Sequence, residues 1–229
     1  MRHALRCGVL TLLLAVSPAG AAERPVVVEL FTSQSCSSCP PAEALLGELA
    51  REGAGVLPLA FHVTYWNHLN WHDAYSLPAA TARQEAYAAR LGESVYTPEA
   101  VIDGRTGLVG SETQTVRAAI AAARDRAGEP VPIALSREGG GLVVRLGLGA
   151  GSGVVTLVGF DRSRTTRVTR GENAGRTIAQ ANVVRSLSEV GRWSGAEQTL
   201  SLPWPEGEAA AVLVQGADGR VLGAARIDG

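Results

Sequence analysis

The sequence predicts an α/β domain followed by an all-β, sandwich-like domain. From Pro25 to about Gly128, short β-branched runs alternate with segments of helical periodicity. After Pro130 that periodicity stops, and short strands separated by Gly-rich turns take over. The chain has 229 residues, 46% of them hydrophobic, enough for one large domain or two small ones. The expected division is a signal peptide over 1–22, the α/β domain over 23–128 and the β domain over 129–229, with the boundary at Gly128-Glu129-Pro130.

The N-terminus has the order of an export signal. Arg2 and Arg6 form a positive start, Cys7 to Val16 is an apolar stretch too short to span a bilayer, and Ala19-Gly20-Ala21 supplies small residues before a cut after Ala21 or Ala22. Cleavage leaves 19 Arg against 22 acidic residues, and only two of the three cysteines. The expected product is exported, periplasmic or secreted, without a membrane span. All basic residues are Arg, so Schiff-base and P-loop lysine chemistry are excluded. A net charge of -1 gives no basic surface for nucleic acid.

Val26 to Phe31 suits a buried strand, and Pro41 to Ala50 places apolar residues at 42, 45, 46 and 49 on one helix face. Val56 to Val63 is a second strand, and Pro78 to Leu91 a helix ended by Gly92. Glu99 to Asp103 and Thr106 to Gly110 form two short strands about Asp103-Gly104. Ser111 with Gln114 reads as a capping box opening an Ala-rich helix closed by Gly128. Strands are expected at Ile133–Leu135, Leu142–Leu148, Val154–Phe160, Thr165–Thr169, Val183–Val190, Gln198–Leu202, Ala210–Val214 and Val221–Ile227. The order strand, helix, strand, helix, strand, strand, helix matches the thioredoxin arrangement, with Thr64 to Leu77 as an inserted aromatic and histidine-bearing loop.

Cys36-Ser37-Ser38-Cys39 lies between a strand and a helix, the setting of a redox C-x-x-C. Cys36, nearer the exposed end of the turn, is the expected attacking thiol, and Cys39 the buried resolving thiol. The competing reading is a structural disulfide, although a ring closed by four residues restrains little of the unfolded chain. Two cysteines alone do not complete a zinc shell. Pro40-Pro41 suggests a helix start near Ser38, leaving Cys36 just outside the helix and weakly influenced by its dipole.

Thr97-Pro98 precedes the third strand, where a cis proline would present the Thr97 backbone to an extended peptide; an ordinary trans proline at a strand entry is the alternative. Glu29, inside a strand, is a candidate proton acceptor if it points beneath the cysteines and a solvated carboxylate if it points outward. The loop His62 to Asp73 holds three of the four histidines. It reads as a loop packed by its own aromatic residues, as a docking wall built from Tyr65 and Trp66 with His62 assisting proton transfer, or as part of a metal site. Ser37 and Ser38 complete the expected substrate-contacting set.

These residues resemble a bacterial family of exported proteins known as domain of unknown function 1223. The resemblance rests on Glu29-Leu-Phe-Thr-Ser-Gln-Ser-Cys36-Ser-Ser-Cys39-Pro-Pro, His62-Val-Thr-Tyr-Trp66, Arg83-Gln84, Val95-Tyr-Thr-Pro98 and Gly171-Glu-Asn-Ala-Gly-Arg176. It implies a thioredoxin-like fold with Cys36, Cys39 and Pro98 as the working residues, and no substrate. Ser35 and Thr64 depart from the Gly and Asp expected there. The Gly171–Arg176 motif either pins an interface near the active turn or forms a hairpin tip.

The expected function is a thiol-disulfide oxidoreductase of the envelope, working on protein thiols and disulfides with a redox recycling partner, and without cofactor or metal. The alternative is a non-catalytic module that binds copper through the cysteines and His62, or docks a partner on the β domain.

Overall fold

The computed structural model describes residues 24–229 except Ala54 and Ala127. The signal expected over 1–22 lies outside the described residues. The fold is mixed α/β, with a large, mostly β sheet and few helices.

The chain runs β1 (Val26–Thr32), α1 (Pro40–Glu52), β2 (Val56–His62), α2 (Pro78–Leu91), β3 (Glu99–Ile102), β4 (Thr106–Val109) and α3 (Thr113–Asp125). Seven strands follow: β5 (Ile133–Glu138), β6 (Gly141–Leu146), β7 (Gly153–Arg167), β8 (Thr177–Trp193), β9 (Gln198–Pro203), β10 (Ala209–Gln215) and β11 (Val221–Asp228). Eight strands form one sheet in the order β11-β10-β7-β8-β2-β1-β3-β4. β1 and β2 are parallel, and β8 joins β2 in parallel through Ala60 and Val183, so strands after residue 128 continue the sheet begun before it. β5, β6 and β9 form a second, three-stranded sheet.

Alternation along β1 separates two cores, because successive side chains of a strand point to opposite faces. Val26, Val28 and Leu30 pack with Leu45, Leu46 and Leu49 of α1 and Ile120 of α3. Val27 and Phe31 pack on the other face with Tyr87 of α2, and with Val158, Phe160 and Leu213 from the second half of the chain. β1 and β2 are buried along their whole length, as strands covered on both faces must be. A third core, around Trp193, joins the small sheet to the β7, β10 and β11 end of the large one.

The junction between β2 and β8 is narrow. Pro58, inside β2, has no N–H to give a ladder, and its carbonyl accepts instead from the Asn182 side chain at 2.7 Å. Asn182 adopts φ 47°, a conformation Asn tolerates better than most residues.

Three local expectations are corrected. The runs 154–160 and 165–169 are one strand, β7, because β8 pairs with it from Gly153↔Trp193 to Arg167↔Thr177 and carries it past the polar segment between them. No capping box forms at Ser111: the N-cap is Glu112, without a side-chain cap bond. α1 starts at Pro40 rather than near Ser38, with Cys39 as N-cap and prolines in the first turn, where a missing N–H has no intrahelical partner to lose.

Candidate functional site

The turn between β1 and α1 is tied by its own backbone. Cys36 N–H donates to Ser33 O (3.1 Å), Cys39 N–H to Cys36 O (3.2 Å), and Glu43 N–H to Cys39 O (3.1 Å). Cys36 and Cys39 form a disulfide with their Cα atoms 5.4 Å apart. Cys36 is only 1% exposed, as is Cys39. This corrects the expectation that Cys36 stands at an exposed end: Ser37 and Ser38 take the exposed positions, and Ser38 Oγ lies 3.4 Å from Cys36 Sγ. Cys36 precedes the N-cap by three residues, so the dipole of α1 acts on it less than on Cys39.

A buried polar network fills the α1 side of the sheet beneath this turn. Thr32 Oγ1 donates to Glu43 Oε1 (2.8 Å), and His62 Nδ1 donates to Asp73 Oδ2 (2.6 Å), which also accepts from Gln34 N–H (2.8 Å). His62 Nε2 lies 3.8 Å from Glu43 Oε1 and 3.2 Å from the Gln180 amide. Burial pushes the Glu43 carboxyl above its ordinary value, and the nearby His62 only partly offsets this. Burial opposes charge on His62, but Asp73 and then Glu43 lift its pKa above normal. Asp73 is held low despite burial, by the charge and hydrogen bond of His62. The arrangement is a histidine–carboxylate pair beside a buried carboxyl whose affinity for a proton is raised. His62 is fully buried, so it lies beneath the turn and lines no docking wall.

Glu29 is also buried, but on the opposite face. It is ion-paired with Arg83 and accepts from Tyr87 OH (2.6 Å), which in turn accepts from Gln215 Nε2 (2.8 Å). β1 alternation turns it away from Thr32 and Glu43, so the structure does not bring it to the cysteines.

Thr97-Pro98 is cis. Pro98 and Ala42 of the first turn of α1 both border Gly110, each 3.4 Å from where a Cβ at that glycine would stand. Thr97 Oγ1 accepts from Trp66 Nε1 (2.7 Å), and Tyr65 OH donates to Gln84 Oε1 (3.1 Å), so the aromatic pair braces the segment before β3. Glu99, immediately after Pro98, is bound by Gln84 Nε2, and burial first, then Glu93, pushes it up to about 7.

Two loops wall the cysteine turn. From the insertion, Trp71 Nε1 donates to Gln34 Oε1 (2.9 Å), and its carbonyl accepts from Ser35 Oγ (2.7 Å). The Thr64 hydroxyl and N–H bond to Thr81 Oγ1. From the other side comes the tip of the β7–β8 hairpin. Asn173 Nδ2 donates to Gln34 O (3.0 Å) and Cys36 O (2.9 Å), and Glu172 Oε2 accepts from Ser37 N–H (3.3 Å). The Gly171–Arg176 motif is thus a hairpin tip that also reaches the cysteine turn. Gly171, with φ 76°, comes so close to Trp71 that a Cβ there would lie 3.3 Å from the Trp71 Cβ. Among the described residues, the buried side-chain oxygens without a protein partner are Glu43 Oε2, Glu99 Oε1 and Asn173 Oδ1.

The structure therefore holds Cys36, Ser37, Ser38 and Cys39 in one turn with His62 buried below it, sets the cis Pro98 beside the first turn of α1, and leaves Glu29 elsewhere. Sequence reasoning missed Glu43, Asp73, Gln34 and Gln180. Only Glu43 carried a readable signal, four residues after Cys39 and so on the same helix face. Among the described residues, no three His, Cys, Asp or Glu side chains converge as a metal site would require.

No match is found among curated proteins. A crystal structure of an Agrobacterium tumefaciens protein is 33% identical, with a TM-score of 0.80, covering 91% of this chain and 96% of that one. HBP35 of Porphyromonas gingivalis is similar in fold, at 14% identity and a TM-score of 0.64, covering 90% of this chain and 75% of that one. Residues 27–215, which include the cysteine turn, the insertion and the hairpin tip, match the family described as protein of unknown function (DUF1223), and the chain belongs to that family.

Proposed function

We propose that the protein is an exported thiol–disulfide oxidoreductase whose first half is a thioredoxin-like unit and whose second half is a sandwich-like unit completing the site. The observation that carries this reading is the Cys36–Cys39 disulfide ahead of α1, with the cis Thr97-Pro98 bond beside the first turn of that helix.

In the reducing direction, the Cys36 thiolate attacks one sulfur of a substrate disulfide. That bond breaks, one substrate thiolate leaves, and a mixed disulfide forms at Cys36. Cys39, as its thiolate, then attacks Cys36 Sγ, expelling the second substrate sulfur and restoring the intramolecular disulfide. The substrate gains two electrons and takes up two protons. The Cys39 proton goes to Glu43, which shares a buried helix face with it and whose own proton preference is already raised. Glu43 takes the part that the sequence assigned to Glu29. A partner dithiol returns the pair to the reduced state.

Metal binding by the cysteines and His62 has less support, because His62 Nδ1 is occupied by Asp73 and no cluster of three donors converges among the described residues.

The deciding experiment is dithiol-driven reduction of insulin disulfides. The mature protein should accelerate it, and Cys36→Ser should reduce the rate to background. An unchanged rate in the variant would remove the redox reading. A reduction potential below about -300 mV for the pair would instead favour a structural disulfide.

A further inference from the structure

The disulfide is 1% exposed at both cysteines, yet thiol–disulfide exchange needs a sulfur to approach Cys36 Sγ in line with the S–S bond. What covers the turn comes from far along the chain. The tip between Arg167 and Thr177 folds on itself through Val168 N–H to Arg176 O (2.9 Å), Gly175 N–H to Val168 O (2.9 Å) and Ala174 N–H to Gly171 O (3.1 Å). It is therefore a formed turn rather than loose chain. Val168 and Asn173 are its two wholly buried residues. Asn173 supplies both donors to the carbonyls of the cysteine turn, and those two bonds fix the orientation of its amide, leaving Oδ1 buried without a protein partner. Among the described residues 168–176, the tip's hydrogen bonds to the turn go to backbone atoms, the carbonyls of Gln34 and Cys36 and the N–H of Ser37. An extended peptide carries the same donors and acceptors.

We propose that the β7–β8 tip is a gate on the redox pair, latched by Asn173, and that a protein segment opens it by taking over these three backbone groups. The inference rests on the redox reading for its biological meaning, but the gate itself is testable without it. Asn173 is a positioning residue: it holds the turn covered and does not touch the exchanging electrons. In the test reaction, the dithiol of dithiothreitol reduces the protein disulfide. Two S–H bonds and the Cys36–Cys39 bond are exchanged for two protein thiols and one cyclic disulfide, with two electrons passing to the protein.

The experiment measures the rate at which dithiothreitol reduces the Cys36–Cys39 bond in the intact mature protein, as wild type, Asn173→Ala and Glu172→Ala. Losing two buried hydrogen bonds should shift the open population enough to raise the rate about tenfold or more in Asn173→Ala. Glu172→Ala, which removes one longer and exposed contact, should raise it only about two- to threefold. If both variants react at the wild-type rate while keeping its melting transition, the gate is overturned. If Asn173→Ala fails to fold, an unchanged rate in Glu172→Ala and in a chain whose residues 170–175 are replaced by a two-residue turn overturns it equally. Insulin reduction separates the two ideas. Faster opening by dithiothreitol with no turnover of insulin by any form would keep the gate and remove the oxidoreductase. Insulin turnover by wild type, with dithiothreitol reducing wild type, Asn173→Ala and Glu172→Ala at one rate, would keep the oxidoreductase and remove the gate.

Discussion

At Cys36, Cys39 and Pro98 the sequence was readable because the constraint is local: two cysteines three apart at a strand-to-helix turn, and a proline just ahead of a strand. At Glu43 it was not. Helical periodicity presents Glu43 as a polar residue among the apolar positions 42, 45, 46 and 49, and only the N-cap at Cys39 fixes that it stands one turn along the helix from that cysteine. Asp73 is hidden for a different reason, since nothing in a loop sequence shows that one carboxylate will turn inward onto His62. Their pairing gives a definite expectation. His62→Gln leaves Asp73 buried without its counter-charge and should destabilise the protein by about 3–5 kcal/mol, measured by urea unfolding near pH 6. The pH dependence follows from the directions of the shifts. His62 is raised, so its contribution is complete below its unfolded pKa of about 6.5 and fades as pH rises through the higher folded value. Asp73 is lowered, so its contribution is complete above its unfolded pKa of about 3.9 and fades as pH falls through the lower folded value. The gap between wild type and variant should therefore be widest between those limits and narrow in alkali. A gap that widened toward pH 9 would contradict the ion pair.

The helices and the buried strands of the first half were legible element by element, because period and burial agree there. The β7–β8 hairpin was not, because its middle passes Asp161, Arg162 and Arg164, whose charges read as a break between two short strands. In the folded chain that polarity is locally neutralised: Asp161 meets Arg164 at 2.9 Å and Arg185 at 3.4 Å. The register shift next to Gly159 bends the pair, and a Cβ there would run into the Glu206 carbonyl and come within 2.6 Å of Ser186 Oγ. Gly159→Ala should cost about 1–3 kcal/mol by chemical denaturation, as overpacking against backbone does. An unchanged midpoint would mean that the bend absorbs the methyl group.

For the molecule as a whole, the change of texture after Pro130 is real in the sequence, yet the sheet crosses it. Pairing between β2 and β8 spans residues more than a hundred positions apart, which no local pattern encodes. The α2-side core mixes Val27, Phe31 and Phe61 with Val158, Phe160 and Leu213. A fragment of residues 24–128 would leave β2, apolar from Val56 to Phe61, as an edge strand and expose half of that core. It should aggregate or unfold without a cooperative transition, whereas a sharp two-state melt would show that it stands alone.

The distance along the chain between the cysteine turn and the hairpin tip also sets an order of events. The cysteines are three residues apart, whereas Asn173 reaches the Cys36 carbonyl from 137 residues downstream. Local contacts close before distant ones during synthesis and folding. The cysteine turn can therefore close while most of the chain is still arriving, and the hairpin tip docks on it only later. On the proposed redox and gate readings, the surroundings in which the last third of the chain folds set the oxidation state in which the pair is enclosed.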